Sequence, residues 1–417
     1  MNKSTETLYI PDDMDCRSCN LCASHCPTFK GTRIPEESPR GRLKLISKVL
    51  YEDERLNPEE QTHLNNCVEC RACEKVCPSK MRYLKLLGKA RDKLPRIPTS
   101  AVIRALLYVT SHRTSLLRLF SGLRLYQNSG LQGMAEKLGL INLTRTEALN
   151  GMLPKLPKYQ HVEKYYPATV THKGNVGLFT GCLTNVMDNP TLHASIKVLN
   201  TLGYGVHVPQ QQQCCGAIHK HNGDKETADQ LAEINLRAFQ GLELEAIVYT
   251  ASACGSPLQQ YKRRKVSAEI RAEVPLFESK LKEINEFIAA QEWPDNLKLE
   301  PLNKRVVVHE PCSQRFPLAT HEKAYEFLQR IPGIDMQPLP ENNICCGAGG
   351  TYMITHQEMS NQIRAEKLKH LQASDADILA TSNIGCALHL ASGIFNEKID
   401  VVVAHPIELL AQQISLP

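Results

Sequence analysis

Eight of the sixteen cysteines stand in two short runs near the N-terminus, and their spacing is that of a metal site. The runs read Cys16-x2-Cys19-x2-Cys22-x3-Cys26-Pro27 and Cys67-x2-Cys70-x2-Cys73-x3-Cys77-Pro78. Three thiolates spaced in this way can bind three corners of an iron–sulfur cube, and the fourth corner needs a cysteine from elsewhere in the chain. Zinc sites usually use two Cys-x-x-Cys pairs, so the pattern suits a tetrahedral ion poorly. The spacing therefore predicts two [4Fe–4S] clusters.

Both runs have the pattern of two-cluster bacterial ferredoxins, in which the fourth cysteine of each run binds the other cluster. We therefore expect exchanged ligand sets. One predicted set is Cys16, Cys19, Cys22 and Cys77, and the other is Cys67, Cys70, Cys73 and Cys26. Forty residues separate the two runs, and 41–50 has helical periodicity, which favours an α-helical ferredoxin domain over a compact one. Arg40 and Arg42 either face an anionic cluster or belong to an ordinary helix start.

The other eight cysteines recur as two matching sets in the second half of the chain. Cys182, Cys214, Cys215 and Cys254 return at offsets of 130 to 132 residues as Cys312, Cys345, Cys346 and Cys386. Short apolar runs enter the first and last cysteine of each set, and a helix-period stretch lies between, which predicts a parallel-sheet α/β unit in each repeat. Ligands of such sheets bind at the carboxyl ends of the strands, so each repeat should gather four thiols there.

Each set contains two adjacent cysteines followed by glycine. Adjacent thiolates cannot both reach one zinc ion with relaxed geometry, whereas a cluster offers each of them a separate iron. The glycine allows close approach of the backbone or a positive φ. We expect one or two further iron–sulfur clusters here: a third on Cys182, Cys214, Cys215 and Cys254, and a fourth on Cys312, Cys345, Cys346 and Cys386. The alternative is a redox-active thiol site.

The ordered motifs resemble the cysteine-rich CCG domain family, and nearly the whole chain is similar to the glycolate oxidase iron–sulfur subunits within it. Besides the two ferredoxin runs, the resemblance lies in Pro39-Arg40-Gly41-Arg42, Gly181-Cys182, Cys214-Cys215-Gly216-Ala217, Ser252-Ala253-Cys254-Gly255, Cys345-Cys346-Gly347-Ala348-Gly349-Gly350-Thr351-Tyr352 and Asn383-Ile384-Gly385-Cys386. Heterodisulfide reductase-type domains end in Cys-x-x-Cys, but here the last position is Pro257 or His389, which argues against heterodisulfide cleavage. His389 is either an iron ligand or hydrogen-bond partner, or a histidine buried in a helix.

The resemblance implies a subunit of a 2-hydroxy-acid dehydrogenase that is inactive alone and relays electrons. FAD-containing subunits would oxidise glycolate, and this chain would pass the electrons towards a quinone or membrane acceptor. The sequence has no G-x-G-x-x-G after a strand, so no dinucleotide fingerprint is present, and a chain with no flavin needs such a partner. The alternatives are the corresponding subunit of a D-lactate or glycerol-3-phosphate dehydrogenase, and a CCG-type thiol–disulfide oxidoreductase.

Residues 96–174 have no cysteine and are predicted to form a helical connector. Five arginines fall in its first part: Arg96, Arg104, Arg113, Arg118 and Arg124. No acidic residue lies between Lys93 and Glu136, and Leu116, Phe120 and Leu123 share one helical face. This face either packs on the neighbouring domain or contacts a membrane surface or partner.

The remaining elements complete a multidomain α+β chain. An α-helical ferredoxin domain is predicted over 1–95, followed by the connector and by α/β CCG repeats over 175–304 and 305–417, with a charged helical segment at 267–291 joining the repeats. The net charge of +5 is too small to indicate nucleic acid binding. No secretory signal or run of ~18 apolar residues is visible, so we expect a cytoplasmic protein, peripheral on the cytoplasmic face of the inner membrane. In that compartment, cysteines indicate metal binding rather than disulfides.

Overall fold

The structure, a computed structural model, describes residues 16, 19–95, 99–131, 133–134 and 156–415. A helical N-terminal part is followed by two further helices and then by two repeated units of parallel sheet and helix. The predicted fold class is thereby confirmed. The predicted domain boundaries, after residues 95, 174 and 304, stay predictions.

The N-terminal part consists of short helices around a small apolar core. The helices are α1 (Pro27–Thr32), α2 (Pro39–Tyr51), α3 (Pro58–Asn65), α4 (Ala72–Lys75) and α5 (Tyr83–Lys93), with a 3₁₀ turn at Pro35–Glu37. The Ser38 hydroxyl accepts a hydrogen bond from the Gly41 amide and so caps α2. The apolar faces of α2 and α5 meet through Ile46, Leu86 and Leu87, which are buried.

The start of helix α2 packs so closely on the 3₁₀ turn that only glycine fits at position 41. A Cβ atom at Gly41 would lie 2.1 Å from the Pro35 carbonyl oxygen and 2.7 Å from the Glu36 Cα. Close backbone packing therefore explains the glycine of the Pro-Arg-Gly-Arg motif.

Two helices of the predicted connector lie on the first repeat. They are α6 (Ala101–Ser111) and α7 (Arg113–Asn128). Leu116 and Phe120, two residues of the apolar face recognised in the sequence, are buried and pack with Val186. This face thus contacts the neighbouring domain. Arg96 lies outside the described residues.

The first repeat has a five-stranded sheet in the order β1-β3-β2-β4-β5. Its strands are β1 (Tyr165–Tyr166), β2 (Gly174–Phe179), β3 (Tyr204–His207), β4 (Ala246–Tyr249) and β5 (Leu281–Glu283). All pairings are parallel except that of β1 with β3. Its helices are α8 (Leu183–Met187), α9 (Asn189–Thr201), α10 (Ala217–His221), α11 (Lys225–Phe239), α12 (Ser252–Leu258), α13 (Ala268–Arg271), α14 (Val274–Lys280) and α15 (Ile284–Ala289), with a 3₁₀ turn at Tyr261–Arg263.

The second repeat has the same strand order without the antiparallel edge. Its sheet runs β8-β7-β9-β10, built from β7 (Arg305–His309), β8 (Asp335–Pro338), β9 (Ile378–Thr381) and β10 (Val402–Ala404), all parallel. Its helices are α16 (Lys323–Leu328), α17 (Tyr352–Thr355), α18 (Gln357–Gln372), α19 (Ile384–Asn396) and α20 (Pro406–Gln413), with a π turn at Gln314–Leu318. A separate antiparallel pair joins β6 (Lys298–Leu299) to β11 (Ile414–Ser415).

The segment 267–291 is more than the helical link that its sequence suggested, since β5 lies inside it. Leu281 and Glu283 are buried while Lys282 is exposed, the period of two that a strand requires. Three residues are too few for this alternation to be recognised against the helical pattern around them. The two sheets share one apolar core, to which Val176 and Val206 contribute from the first and Val306 and Val308 from the second.

We predict that Gly41→Ala destabilises the N-terminal part by about 1–3 kcal/mol, the usual cost of overpacking, because the new methyl group would overlap backbone atoms. Thermal unfolding of the anaerobically purified chain measures the effect. Gly88→Ala in α5 is the matched control: its Cβ would meet nothing within 4 Å, so helix propensity alone should stabilise by about 0.5–1 kcal/mol. Equal stability of the two variants would contradict the packing argument.

Candidate metal centres

The first group of thiols lies around a cavity in the N-terminal part. Cys16, Cys19, Cys22 and Cys77 line it together with Pro39, Arg40, Leu43, Met81 and Tyr83. Burial and the neighbouring thiols raise the pKa of Cys22 to about 11. The structure thus brings together the four cysteines of the first predicted set, three from one run and one from the other.

A second cavity next to it collects the other four N-terminal thiols. Cys26, Cys67, Cys70 and Cys73 line it, with Thr28, Arg42 and Tyr83. Burial raises the pKa of Cys67, Cys70 and Cys73. Cys73 and Tyr83 border both cavities, so the two groups are direct neighbours.

Arg42 places a buried positive charge against the second group. Its Nη1 donates to Thr28 Oγ1 at 3.0 Å and lies 3.8 Å from Cys26 Sγ, and its Nε donates to the His63 carbonyl at 2.6 Å. The guanidinium also forms a buried ion pair with Glu37. Burial acts to lower the pKa of Arg42, but the neighbouring thiols, Tyr83 and Glu37 outweigh it and raise it. The motif is therefore a helix start, and both of its arginines also lie beside thiols, Arg40 at the first cavity and Arg42 at the second.

In the first repeat, the cysteines follow the carboxyl ends of three adjacent strands. Cys182 follows β2, Cys214 and Cys215 follow β3, and Cys254 follows β4. All four pack in one apolar cluster, and interactions between neighbouring thiols raise the pKa of Cys214 and Cys254 and lower that of Cys215. The Gly216 amide donates to Cys214 Sγ at 3.4 Å, with the glycine at φ +84°. The positive φ explains the glycine of the motif.

The second repeat reproduces this arrangement after β7, β8 and β9. The Sγ atoms of Cys312 and Cys345 are 3.8 Å apart, and those of Cys346 and Cys386 are 3.1 Å apart. The Gly347 amide donates to Cys345 Sγ at 3.4 Å, with φ +92°. All four predicted thiols therefore meet at one edge of this sheet as well.

Equivalent side-chain amides hold the strand ends in both repeats. Gln212 donates to the Leu178 carbonyl and accepts from the Thr180 amide, at 3.0 and 2.8 Å. Asn342 makes the same two bonds to residues 130 positions further on, the Val308 carbonyl and the Glu310 amide, at 2.9 and 3.1 Å. Each side-chain amide forms the hydrogen bonds that a neighbouring strand would otherwise make with these backbone groups, at the point where the chain leaves the sheet towards its cysteine.

Two side chains beside the second-repeat thiols, those of His309 and Lys367, were not predicted from the sequence. One ring nitrogen of His309 lies within 4.8 Å of the Sγ atoms of Cys346 and Cys386, and Nδ1 is 2.9 Å from Thr381 Oγ1. Lys367 is 2% exposed and donates to the Glu341 carbonyl at 2.5 Å. Burial lowers the pKa of His309 to about 3 and of Lys367 to about 8. The signal for His309 was its position three residues before Cys312, at a strand end.

His389, the histidine singled out in the sequence, is buried in α19 and contacts Ser360. Its Nε2 lies 3.1 Å from Ser360 Oγ and 3.2 Å from the Ser360 carbonyl. Burial lowers its pKa to about 4. Among the described residues, the ring nitrogen that shares the thiol cluster belongs to His309 instead.

The N-terminal part contacts the second repeat directly through its thiols. Cys70, Cys312 and Cys345 belong to one apolar cluster. The Tyr352 hydroxyl donates to the Asn66 carbonyl at 2.9 Å, and Lys30 pairs with Glu341 at 2.6 Å.

The first-repeat thiols lie apart from this contact and face the connector helices. His219 donates to the Leu107 carbonyl of α6 at 3.0 Å, and Cys182 packs against the apolar residues of α7. The thiols of the two repeats therefore have different neighbours, although the N-terminal part also pairs with the first repeat through Glu69 and His221.

The donor chemistry of all four groups fits iron–sulfur clusters. All sixteen cysteines are free thiols. Burial raises the pKa of Cys67, Cys70 and Cys73, so thiolates gathered in such a place need a cation to stabilise their charge. Sulfur ligands select soft metals and iron–sulfur clusters.

Within the part of the chain that is described, no helix has the length and apolar character needed to cross a membrane.

Comparison with known proteins agrees with this chemistry. A 4Fe-4S dicluster domain matches residues 14–81, and the cysteine-rich CCG domain matches 176–259 and 306–391. The probable glycolate oxidase iron–sulfur subunit of Bacillus subtilis is 31% identical over 99% of this chain and 96% of its own length. The glycolate oxidase iron–sulfur subunit of Escherichia coli is 29% identical over 90% and 89%. One of the subunits of the CoM/CoB fumarate reductase of Methanothermobacter marburgensis is 25% identical over 95% and 71%.

The cofactors predicted from the cysteines, iron–sulfur clusters with two [4Fe–4S] clusters in the N-terminal part, are confirmed by these matches. Nearly full-length similarity, the dicluster domain and the paired CCG domains all point to the same group of proteins. The chain belongs to the family of glycolate oxidase iron–sulfur subunits.

Proposed function

We propose that this chain is the electron-transfer subunit of a glycolate oxidase complex, receiving electrons from FAD-containing subunits and passing them towards a quinone or membrane acceptor. The observation that carries the proposal is the packing of Cys70 from the N-terminal part with Cys312 and Cys345 of the second repeat. A contact between two thiol groups from distant parts of the chain is what an electron relay needs. When bound, iron–sulfur clusters exchange single electrons, which complements the two-electron chemistry of a flavin.

The cavities support the exchanged ligand sets in the N-terminal part. We propose that Cys16, Cys19, Cys22 and Cys77 hold one cluster, and that Cys67, Cys70, Cys73 and Cys26 hold the other. In the repeats, the proposed sets are Cys182, Cys214, Cys215 and Cys254, and Cys312, Cys345, Cys346 and Cys386. The thiol contacts within each repeat support these two sets.

The neighbours of each site suggest an order. The Cys16 site borders the Cys67 site through Cys73, and the Cys67 site borders the second repeat through Cys70. We therefore propose a path along these three sites, with the first-repeat site at its side beneath α6 and α7. Arg42 supports this role, because a buried cation and a donor near sulfur both favour the reduced state of a bound cluster.

A thiol–disulfide oxidoreductase is the weaker candidate on account of burial. Cys214, Cys215, Cys345, Cys346 and Cys386 are each at most 3% exposed. An attacking thiolate must reach the sulfur of its substrate disulfide. Iron analysis separates the two functions: about eight irons per chain fit the thiol enzyme, and about twelve to sixteen fit the relay.

Paired cysteine variants test the exchanged ligand sets. Cys16→Ser with Cys77→Ser should lose no more iron than either single variant, about four per chain, because both residues bind one cluster. Cys16→Ser with Cys26→Ser should lose about eight, because the residues bind different clusters. Iron and acid-labile sulfide of the anaerobic protein measure this. If instead the Cys16 and Cys26 double variant loses only one cluster, each run binds its own fourth corner.

Dependence on a flavoprotein partner tests the relay. We expect glycolate to reduce the clusters of the purified chain only after the FAD-containing subunits are added, since the proposed relay has no site for the substrate. Visible bleaching and the EPR signal of the reduced clusters report the reaction.

D-lactate and glycerol 3-phosphate, each with its own flavoprotein, are the comparison substrates. Faster reduction by one of these systems would assign the chain to that dehydrogenase. Oxidation of glycolate by the isolated chain would refute the proposal.

The exposed face of α6 and α7 suits peripheral contact with an anionic membrane. Large apolar side chains are exposed along this region at Val102, Tyr108, Leu119, Leu125, Leu131 and Met134. Arg104 and Arg118 are exposed among them, whereas Arg113 and Arg124 donate to carbonyl oxygens of the first repeat and the segment before it. We propose that this face rests on the inner membrane, bringing the chain close to its acceptor.

Charge reversal tests the membrane contact. Arg104→Glu with Arg118→Glu should lower co-sedimentation with vesicles containing phosphatidylserine at least severalfold, because each basic residue near such a surface contributes about 1 kcal/mol. Lys265→Glu with Lys298→Glu, exposed residues outside α6 and α7, makes the same charge change and should leave sedimentation nearly unaltered. Equal loss in both pairs would indicate a general charge effect and not this face.

A further inference from the structure

The central strand of each repeat ends beside the thiols, and the residue at this strand end differs between the two repeats. In the first repeat, Phe179 at the end of β2 pairs with Tyr249 of β4. In the second, His309 at the end of β7 pairs with Thr381 of β9. Phe179 and His309 both precede the first cysteine of their set by three residues. The second repeat therefore has a pair of polar residues where the first has an aromatic pair, at the same place beside its thiols.

At two further positions the second repeat again has the more polar residue. Lys367 of α18 is buried among the second-repeat thiols, where the corresponding residue of α11 is the neutral Asn235. Asn383 donates to Cys386 Sγ at 3.2 Å, and the first repeat has Ala251 three residues before Cys254. At these three positions the second site therefore has an imidazole, an ammonium group and an amide donor to sulfur, where the first has an aromatic ring, a neutral amide and a methyl group.

His309 has the geometry of a ligand. It is 1% exposed, and its Nδ1 lies 2.9 Å from Thr381 Oγ1, a contact that fixes the ring. One ring nitrogen and the Sγ atoms of Cys346 and Cys386 all lie within 4.8 Å of one another. Metal–sulfur and metal–nitrogen bonds are about 2.3 and 2.0 Å long, so a nitrogen at this distance from the two sulfur atoms is close to any iron that they bind.

We propose that His309 is a nitrogen ligand of the iron–sulfur cluster in the second repeat, alongside Cys346 and Cys386, and that the first repeat offers thiolate ligands only. The inference rests on the proposed function, since it requires a cluster in the second repeat. The hydrogen bond from Asn383 to the sulfur of Cys386 and the nearby ammonium group of Lys367 both raise the reduction potential of a cluster bound there. The second-repeat site, next to Cys70, is then the one that accepts electrons more readily.

The consequence for function is a difference in role between the two repeats. A higher potential at the second site draws electrons out of the N-terminal part, with which it is in contact. The first site, with Phe179 and Asn235 in the equivalent places, keeps the lower potential of a thiolate-only set.

Histidine-labelled protein provides the test. Pulsed EPR of the full-length chain, prepared anaerobically with ¹⁵N-histidine, should show a strongly coupled nitrogen whose frequency changes with the isotope. His309→Phe, which installs the residue of the first repeat, should abolish this coupling and either shift the midpoint potential of one cluster or remove about four irons. His309→Cys should keep the cluster, without the coupling and at a lower potential.

His389→Phe is the matched control, because it removes another buried histidine of the same repeat that contacts Ser360 rather than thiols. It should keep both the nitrogen coupling and the potential. A wild-type chain with about twelve to sixteen irons but no histidine coupling, and with unchanged potentials in His309→Cys, would overturn the ligand role alone. A wild-type chain with only about eight irons would show that the repeats hold no cluster, and the proposed function would fail with it.

Discussion

Negatively charged sulfur atoms repel one another, and burial makes that repulsion more costly. This chain nevertheless directs sixteen thiols into four groups of four, six of them buried and nine half-buried. Burial raises the pKa of thiols such as Cys67 and Cys73, so each group is stable as thiolates only around a cation. The remaining architecture follows from this requirement. Parallel strands bring cysteines from three loops to one sheet edge, glycines at positive φ turn the backbone after the adjacent thiols, and Arg42 supplies charge of the opposite sign.

The two repeats have the same architecture and each provides one such sheet edge. Several structural features are the same in both repeats. Strand order, the glycine after the double cysteine, and the amide bridges of Gln212 and Asn342 recur with nearly the same geometry. The residues that vary, Phe179 against His309 and Asn235 against Lys367, lie near the thiols at equivalent places of the two units. A scaffold that keeps its strand ends rigid can change the electrostatics of each site independently, which is how similar sites acquire different potentials.

Much of this could be predicted from the sequence because its signals are local or periodic. The cysteine spacings and the offsets of 130 to 132 residues were sufficient for the four thiol groups, the α/β repeats and their shared sheet edge. Three features were not predictable in this way. β5 is too short to show its alternation, and His309 is recognised only once β7 and β9 are in register. The contact of Cys70 with the second repeat joins parts of the chain for which no sequence pattern specifies a neighbour.

The bond from Tyr352 to the Asn66 carbonyl spans 286 residues. During synthesis the N-terminal cysteines leave the ribosome long before the surface on which they come to rest exists, because domains generally form in the order in which they are made. The wall of the Cys67 cavity that faces Cys345 is completed only when the second repeat has folded. Until then Cys70 has no cover on that side, so this site stays open both to iron and to oxygen until the last third of the polypeptide is finished.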